Sequence, residues 1–333
     1  MWIGSSFKCA PHSSRRESVG TIGTWNENDS CLPWREMRQK QTIHRLFIGL
    51  LAVCALALSA SAAKVRSSTL VTWQPAKLVR GSAVLFQVTT PAGVSELSGK
   101  WLGHKINFET QANKKGFYTL AGIPLETAPG TYEFELRGVR RTGEFRLVKK
   151  IRIAPAHYPR VAVTVAKQFT EPNPEQLRQI AADKEVKKSI FSRTAAQQLW
   201  ANNFEPPVDA RVSGVFGTER VFNGEVQSRH LGLDYAAPAG TPVRAINSGT
   251  VLLAQKLYFE GGFIVIDHGQ GLMSLYLHLS DFKVKEGDTV TAGQVIAESG
   301  ASGRATGAHL HLAVRWQGVY LDPSVILALQ VPK

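Results

Sequence analysis

The chain has 333 residues, 44% hydrophobic and 20% charged, with 39 lysines and arginines against 26 aspartates and glutamates. That length and composition describe a folded protein with room for two domains. Its three cysteines, Cys9, Cys31 and Cys54, all lie near the start, which excludes a thiolate metal site or a disulfide in the bulk of the chain.

Residues 1–63 read as processing signal. Met37 opens the basic stretch "MRQKQTIHRL", followed by the apolar run Leu46–Leu58 and then "SASAAK", whose small residues suit cleavage around Ala62 or Ala63. The apolar run is too short for a comfortable membrane span. The residues before Met37 lack this order and read as an upstream, mis-assigned start. The expected mature protein is exported to the periplasm or cell envelope and is free of cysteine.

Residues 64–155 are expected to form a basic, immunoglobulin-like β-sandwich. Short β-rich runs ("STLVTW", "SAVLFQVTT", "GTYEFELRGV", "GEFRLVKKIRIA") alternate with Gly, Pro and Asn turns. In the last run Phe145, Leu147, Ile151 and Ile153 alternate with Arg146, Lys150 and Arg152, predicting a basic solvent face. Charge is unevenly shared: Lys64 to Pro207 holds 22 Lys and Arg against 11 Asp and Glu, whereas Val208 to Lys333 holds 10 against 11. For an exported chain this favours anionic envelope polymers or lipid head groups over nucleic acid as a partner.

Residues 156–207 form a connector with one predicted helix, in which Asn173 caps, Pro174 starts and Gln176 completes a capping box. Residues 208–333 are nearly all short strands: "TPVRAI", "GTVLLAQKLYF", "GFIVIDHG", "LMSLYLHL", "DTVTAGQVIAES" and "AHLHLAVRW". An antiparallel sheet is expected, making the whole chain all-β apart from the connector.

The chemistry is concentrated in the histidines of this second half. His309 and His311 in "GAHLHLAV" share one face of a strand, and two adjacent imidazoles call for a shared partner such as a metal ion. His230 and Asp234 in "HLGLD" would lie about 13 Å apart if extended, so both can reach one ion only if the chain bends, and Gly232 stands between them. His230, Asp234 and His311 would leave a tetrahedral zinc one open position, the pattern of a catalytic site. His268 in "VIDHGQG" reads as a turn residue, Gly300, Gly303 and Gly307 as tight turns, and Tyr235 and Tyr276 as packing.

"HLGLD", "YLHLS" and "TGAHLH", in that order, resemble the signatures of the LytM/lysostaphin-type zinc endopeptidases, with the similarity running from about Val212 to Pro323. The resemblance implies hydrolysis of peptide bonds in bacterial peptidoglycan, one zinc ion held by His230, Asp234 and His311, and catalysis assisted by the non-ligand residues His278 and His309. It departs from the family at Ala308, where proline is common, and in the "LAV" after His311. Inactive relatives that activate a wall amidase usually lack metal ligands, whereas all five positions are present here. A lipoyl-type carrier, suggested by "VKEGDTVTAGQVIA", lacks a suitably placed lysine.

Overall fold

The structure, a computed structural model, describes residues 69–162, 171–222 and 225–332, so the segment expected to be a signal lies outside it. The first half forms two sheets. One takes β1 (Leu70–Gln74), β3 (Ala83–Thr89), β7 (Gly116–Gly122) and β6 (Glu109–Thr110) in the order β1-β3-β7-β6. The other takes β2 (Leu78–Val79), β9 (Gly143–Ala154), β8 (Gly130–Arg140), β4 (Val94–Trp101) and β5 (His104–Asn107) in the order β2-β9-β8-β4-β5.

Aromatic side chains hold these sheets face to face. Phe86 of β3 meets Trp101 of β4 at 5.5 Å and Phe134 of β8 at 4.1 Å between ring centroids, all three fully buried. On β9, Ile151 and Ile153 are buried and Phe145 and Leu147 half-buried, whereas Arg146, Lys150 and Arg152 are exposed. The basic face expected from the alternation is therefore present. Its ion pair, Arg146 to Glu135 at 2.8 Å, is well exposed and adds little stability.

Within the connector, β10 (Arg160–Ala162) runs parallel to β12 (Glu219–Phe222), which pairs with β13 (Glu225–Arg229). Helix α1 (Pro174–Phe191) starts where its capping residues predict. Asn173 Oδ1 accepts from the Gln176 backbone N–H at 2.9 Å, and Gln176 Oε1 accepts from that of Asn173 at 2.8 Å. Buried Asp183 accepts from the Tyr258 N–H at 2.6 Å, and Ile190 packs with Leu252, Leu257 and Phe263. The helix is thereby laid against the second half of the chain.

An eight-stranded sheet organises that half. Its path is β11 (Val212–Gly214), β14 (Leu233–Tyr235), β22 (Leu310–Trp316), β18 (Leu272–Leu279), β17 (Gly261–Asp267), β16 (Gly249–Leu257) and β20 (Thr289–Val290), with β23 (Val319–Leu321) hairpinned onto β22. Every pairing in it is antiparallel. A small sheet of β15 (Pro242–Arg244), β21 (Val295–Glu298) and β19 (Asp281–Phe282) flanks it, and α2 (Pro323–Ala328) closes the second half.

Both halves share one hydrophobic cluster. Tyr118 of β7 meets Trp200 of the connector at 5.8 Å, and His104 of β5 meets Trp316 of β22 at 4.9 Å. The Asp322 N–H donates to the Gly81 carbonyl at 2.7 Å. Ser67–Lys333 thus form one compact unit.

His268 follows β17 at the turn into β18 and is fully buried. Its Nδ1–H donates to the Ser248 carbonyl at 2.7 Å, and its Nε2 meets Ser274 Oγ at 2.8 Å. Burial pushes its pKa down to about 4, against the upward pull of Ser248 and Asp267. In the unfolded chain an imidazole titrates near 6.5. Between these values the unfolded chain carries a proton that the folded chain excludes, so stability is lost as pH falls from about 6.5 to about 4, by roughly 3 kcal/mol in total. The stability difference between the wild type and His268→Gln, from urea unfolding at each pH, should shrink by that amount between pH 7 and pH 4. A difference that does not vary with pH contradicts this role for His268.

Candidate metal and catalytic site

Strand pairing places the first two members of the site. In the β14–β22 register Asp234 lies directly opposite His311, with Leu233 and Tyr235 paired to Leu312 and Leu310 on either side. Those four apolar side chains are buried, so a one-residue slip would turn them out to solvent and fixes the register strongly. His230 enters from the bend between β13 and β14, held by its N–H donating to the Thr218 carbonyl at 2.9 Å.

The bend falls where Gly232 predicts it. A Cβ at Gly232 would sit 2.3 Å from the Leu312 carbonyl oxygen and 2.6 Å from His311 Nε2, so only glycine lets this segment lie so close to β22.

The three donor atoms converge. His230 Nε2 lies 2.9 Å from Asp234 Oδ1 and 3.0 Å from His311 Nδ1, and His311 Nδ1 lies 2.7 Å from Asp234 Oδ1. A second hydrogen bond fixes the tautomer of His230. Its Nδ1 faces the Val215 carbonyl at 2.9 Å, which can only accept, so Nδ1 carries the proton and Nε2 points a lone pair into the cluster. Burial works to raise the Asp234 carboxyl, but the imidazoles of His230 and His311 outweigh it and hold the pKa well below the usual carboxylate range. Burial holds His311 below the ordinary histidine value, with Asp234 opposing.

Three acceptor atoms at these distances, sharing at most the one ring proton of a neutral His311, are completed by a cation. Two imidazoles and a carboxylate suit zinc and leave it an open position.

His278 and His309 stand beside this group. His278 adopts a left-handed φ of 66°, strained for a residue with a side chain, and is held there from both sides. Its N–H donates to the Glu260 carbonyl at 2.8 Å, and its Nδ1–H donates to the Ser302 carbonyl at 2.8 Å. Ser302 is itself locked, its Oγ donating to the Leu279 carbonyl at 2.7 Å and accepting from the Gly262 N–H at 2.8 Å. Gly303 makes this approach possible: its φ is +68°, and a Cβ there would lie 2.3 Å from the Gly261 nitrogen. Of the expected glycine turns, this one therefore builds the support of His278.

Burial first, and then the neighbouring His309, push the His278 pKa down to about 3, so its imidazole is neutral at physiological pH. With Nδ1 donating to a carbonyl, its Nε2 is a free base.

His309 precedes β22. Its N–H donates to the Gly300 carbonyl at 3.0 Å, its Nδ1–H to the Gly307 carbonyl at 2.9 Å, and its Nε2 lies 3.8 Å from Asp234 Oδ1. The His278 and His309 ring centroids are 4.7 Å apart. Five residues from three separate stretches thus meet at one place. His268 lies apart in the core, as do the buried Tyr235 and Tyr276.

A cleft of about 870 Å³ opens over the five. Its far wall comes from the connector: Pro159 and Val161 around β10, and Lys187 and Phe191 on α1. Sequence reasoning gave these four no role, because α1 has only a weak apolar stripe. Ser302 was likewise missed, since nothing local distinguishes it from any other loop serine.

The profile of peptidase family M23 matches residues 228–323, a span that holds all five side chains. Residues 228–323 are a peptidase family M23 domain. The chain is 40% identical over 137 residues to the DD-carboxypeptidase/endopeptidase Mpg of Neisseria meningitidis, covering 41% of this chain and 31% of that protein. It is 37% identical over 152 residues to the peptidoglycan DD-endopeptidase ShyA of Vibrio cholerae, covering 43% of this chain and 32% of that one. The chain therefore matches about a third of the length of these curated relatives. A crystal structure from Pseudomonas aeruginosa assigned to peptidase M23 superimposes with a TM-score of 0.57 at 27% identity, covering 75% of this chain and 95% of that one. That likeness takes in more of the chain than the M23 domain alone.

If the M23 domain holds its metal through the converging atoms, the purified protein binds about one zinc per chain. His230→Ala, Asp234→Ala and His311→Ala should each weaken binding by more than the roughly 10–100-fold expected for an outer-shell partner. Elemental analysis after dialysis against a graded chelator reads this, and full retention in all three variants contradicts the assignment.

Proposed function

We propose that this chain is an exported, zinc-dependent endopeptidase that hydrolyses stem or cross-link peptides of bacterial peptidoglycan. The observation that carries the reading is the meeting of His230, Asp234 and His311 with the free Nε2 atoms of His278 and His309 in one open cleft. The names of the relatives, a DD-carboxypeptidase/endopeptidase and a peptidoglycan DD-endopeptidase, support the substrate class.

Zinc bound by the three ligands supplies Lewis-acid polarisation of a carbonyl and a water acidified to near-neutral pKa. The residues of the chain supply the rest. His278 and His309, each with its second nitrogen committed to a carbonyl, present Nε2 atoms that take a proton from the nucleophile and return it to the leaving amine. Once protonated, either can donate to the developing oxyanion. The sequence "HLGLD" keeps the ligands and the supports keep both extra histidines in place, so the reading as an inactive amidase activator is not favoured.

The strand orders of the first half, with β2 joining β9 in parallel, support an immunoglobulin-like module. Its exposed cationic strand β9 suits a role in holding the enzyme to anionic envelope polymers. Among the described residues the walls of the cleft come from the connector, from residues 213–220 and from the M23 domain, not from this module.

Sacculi digested with the zinc-loaded protein should release muropeptides, identified by mass spectrometry, that identify the bond cut. His278→Ala and His309→Ala should retain zinc yet lose about 10²-fold or more in turnover. Either variant at wild-type rate removes that histidine from the mechanism, and intact sacculi overturn the proposed function.

A further inference from the structure

The cleft carries more positive charge than its own carboxylates neutralise. Among the described residues Lys187, Arg220, Arg229 and Arg304 line it against Asp234 and Glu260. Two of these cations are satisfied, Lys187 by Glu260 at 2.5 Å and Arg229 by Glu219 at 2.7 Å. Asp234 is occupied by its imidazoles. Among the described residues, no carboxylate comes within ion-pair distance of Arg220 or Arg304.

These two arginines are positioned rather than loose. Arg304 follows the Ser302–Gly303 support of His278, its backbone N–H donates to the Phe259 carbonyl at 2.8 Å, and its guanidinium lies over the Phe259 ring at 4.9 Å from the centroid. Arg220 is half-buried on β12, paired on one side with the connector strand β10. Both line the same cleft; burial first, and then the charge of Arg220, hold Arg304 below the ordinary arginine range, with Glu260 opposing. Arg220 lines the cleft together with His230, Asp234 and His311, which places its charge on the wall around the metal group.

Two like charges lining one cleft, with no ion pair among the described residues, form a site for an anion. The planar fork of arginine matches a carboxylate with paired hydrogen bonds, which lysine does not. We propose that Arg220 and Arg304 form a carboxylate-binding subsite that recognises a free carboxylate on the peptide near the bond to be cut. The inference rests on the endopeptidase reading and adds to it a rule for substrate choice: the cleft prefers a peptide with a free acid at that position over the same peptide with an amide.

The test uses a soluble cross-linked stem-peptide dimer and its carboxamide form, with the zinc-loaded full chain. Binding is read in the His309→Ala background so that the peptide survives, and hydrolysis is read in the wild type. The acid form should bind about 10-fold more tightly than the amide, from charge-assisted hydrogen bonds that the amide lacks. Arg220→Gln and Arg304→Gln should each erase most of that preference, raising Kd and KM for the acid form and leaving the amide form nearly unchanged. Equal affinity for the two forms, or variants that weaken both alike, overturns the subsite. If neither peptide is cleaved, the endopeptidase reading fails, while the binding comparison still decides the subsite. If one variant unfolds, the other variant and the acid-to-amide ratio of the wild-type residues decide it.

Discussion

Asp234 sits opposite His311 because β14 and β22 pair antiparallel, and the rest of the site depends on that register. Directly opposed residues bring a carboxylate oxygen and an imidazole nitrogen to 2.7 Å, and the His230 ring then closes the triangle. The pairing is stable because Leu233, Tyr235, Leu310 and Leu312 are all buried beside it. The apolar core thus enforces an arrangement of three acceptor atoms that is unfavourable without a cation. A fold that places lone pairs against one another in this way stores a strong preference for a metal ion.

The support of the two further histidines follows a different logic. His278 is held in left-handed backbone geometry by the Glu260 and Ser302 carbonyls, with the Ser302 hydroxyl bridging β17 and β18. Each ring has one nitrogen committed and the other facing the cleft, so the scaffold fixes which nitrogen can act as base. The connector adds the opposite wall, and through Trp200 and Phe204 it enters the core shared by the two halves. Groups lining the cleft therefore come both from the M23 domain and from sequence that precedes it.

Much of the site was legible in the sequence because its chemistry lies in short spacings. Two histidines one residue apart on a strand, and a histidine four residues before an aspartate with glycine between, each limit the geometry severely. Strands with a solvated face, such as β9, were legible from alternation. By contrast β7 is buried over its whole length, so no period of two marks it, and the two- to five-residue strands β2, β5, β6 and β11 to β14 are too short for a pattern. The partnership of Ser302 with His278, and of Lys187 and Phe191 with the cleft, depends on contacts between distant segments that carry no local signal. The helix α1 was legible from its capping residues, but the surface it covers was not.

The central claim is that His230, Asp234 and His311 hold the metal. The most direct measurement is a crystal structure of the zinc-loaded protein with anomalous diffraction recorded on both sides of the zinc edge. A single strong peak should lie about 2 Å from His230 Nε2, an Asp234 carboxylate oxygen and His311 Nδ1, with His278 and His309 outside bonding distance. A peak bound by His278 or His309 in place of one of these three, or no peak in the cleft at full occupancy elsewhere, would contradict the account.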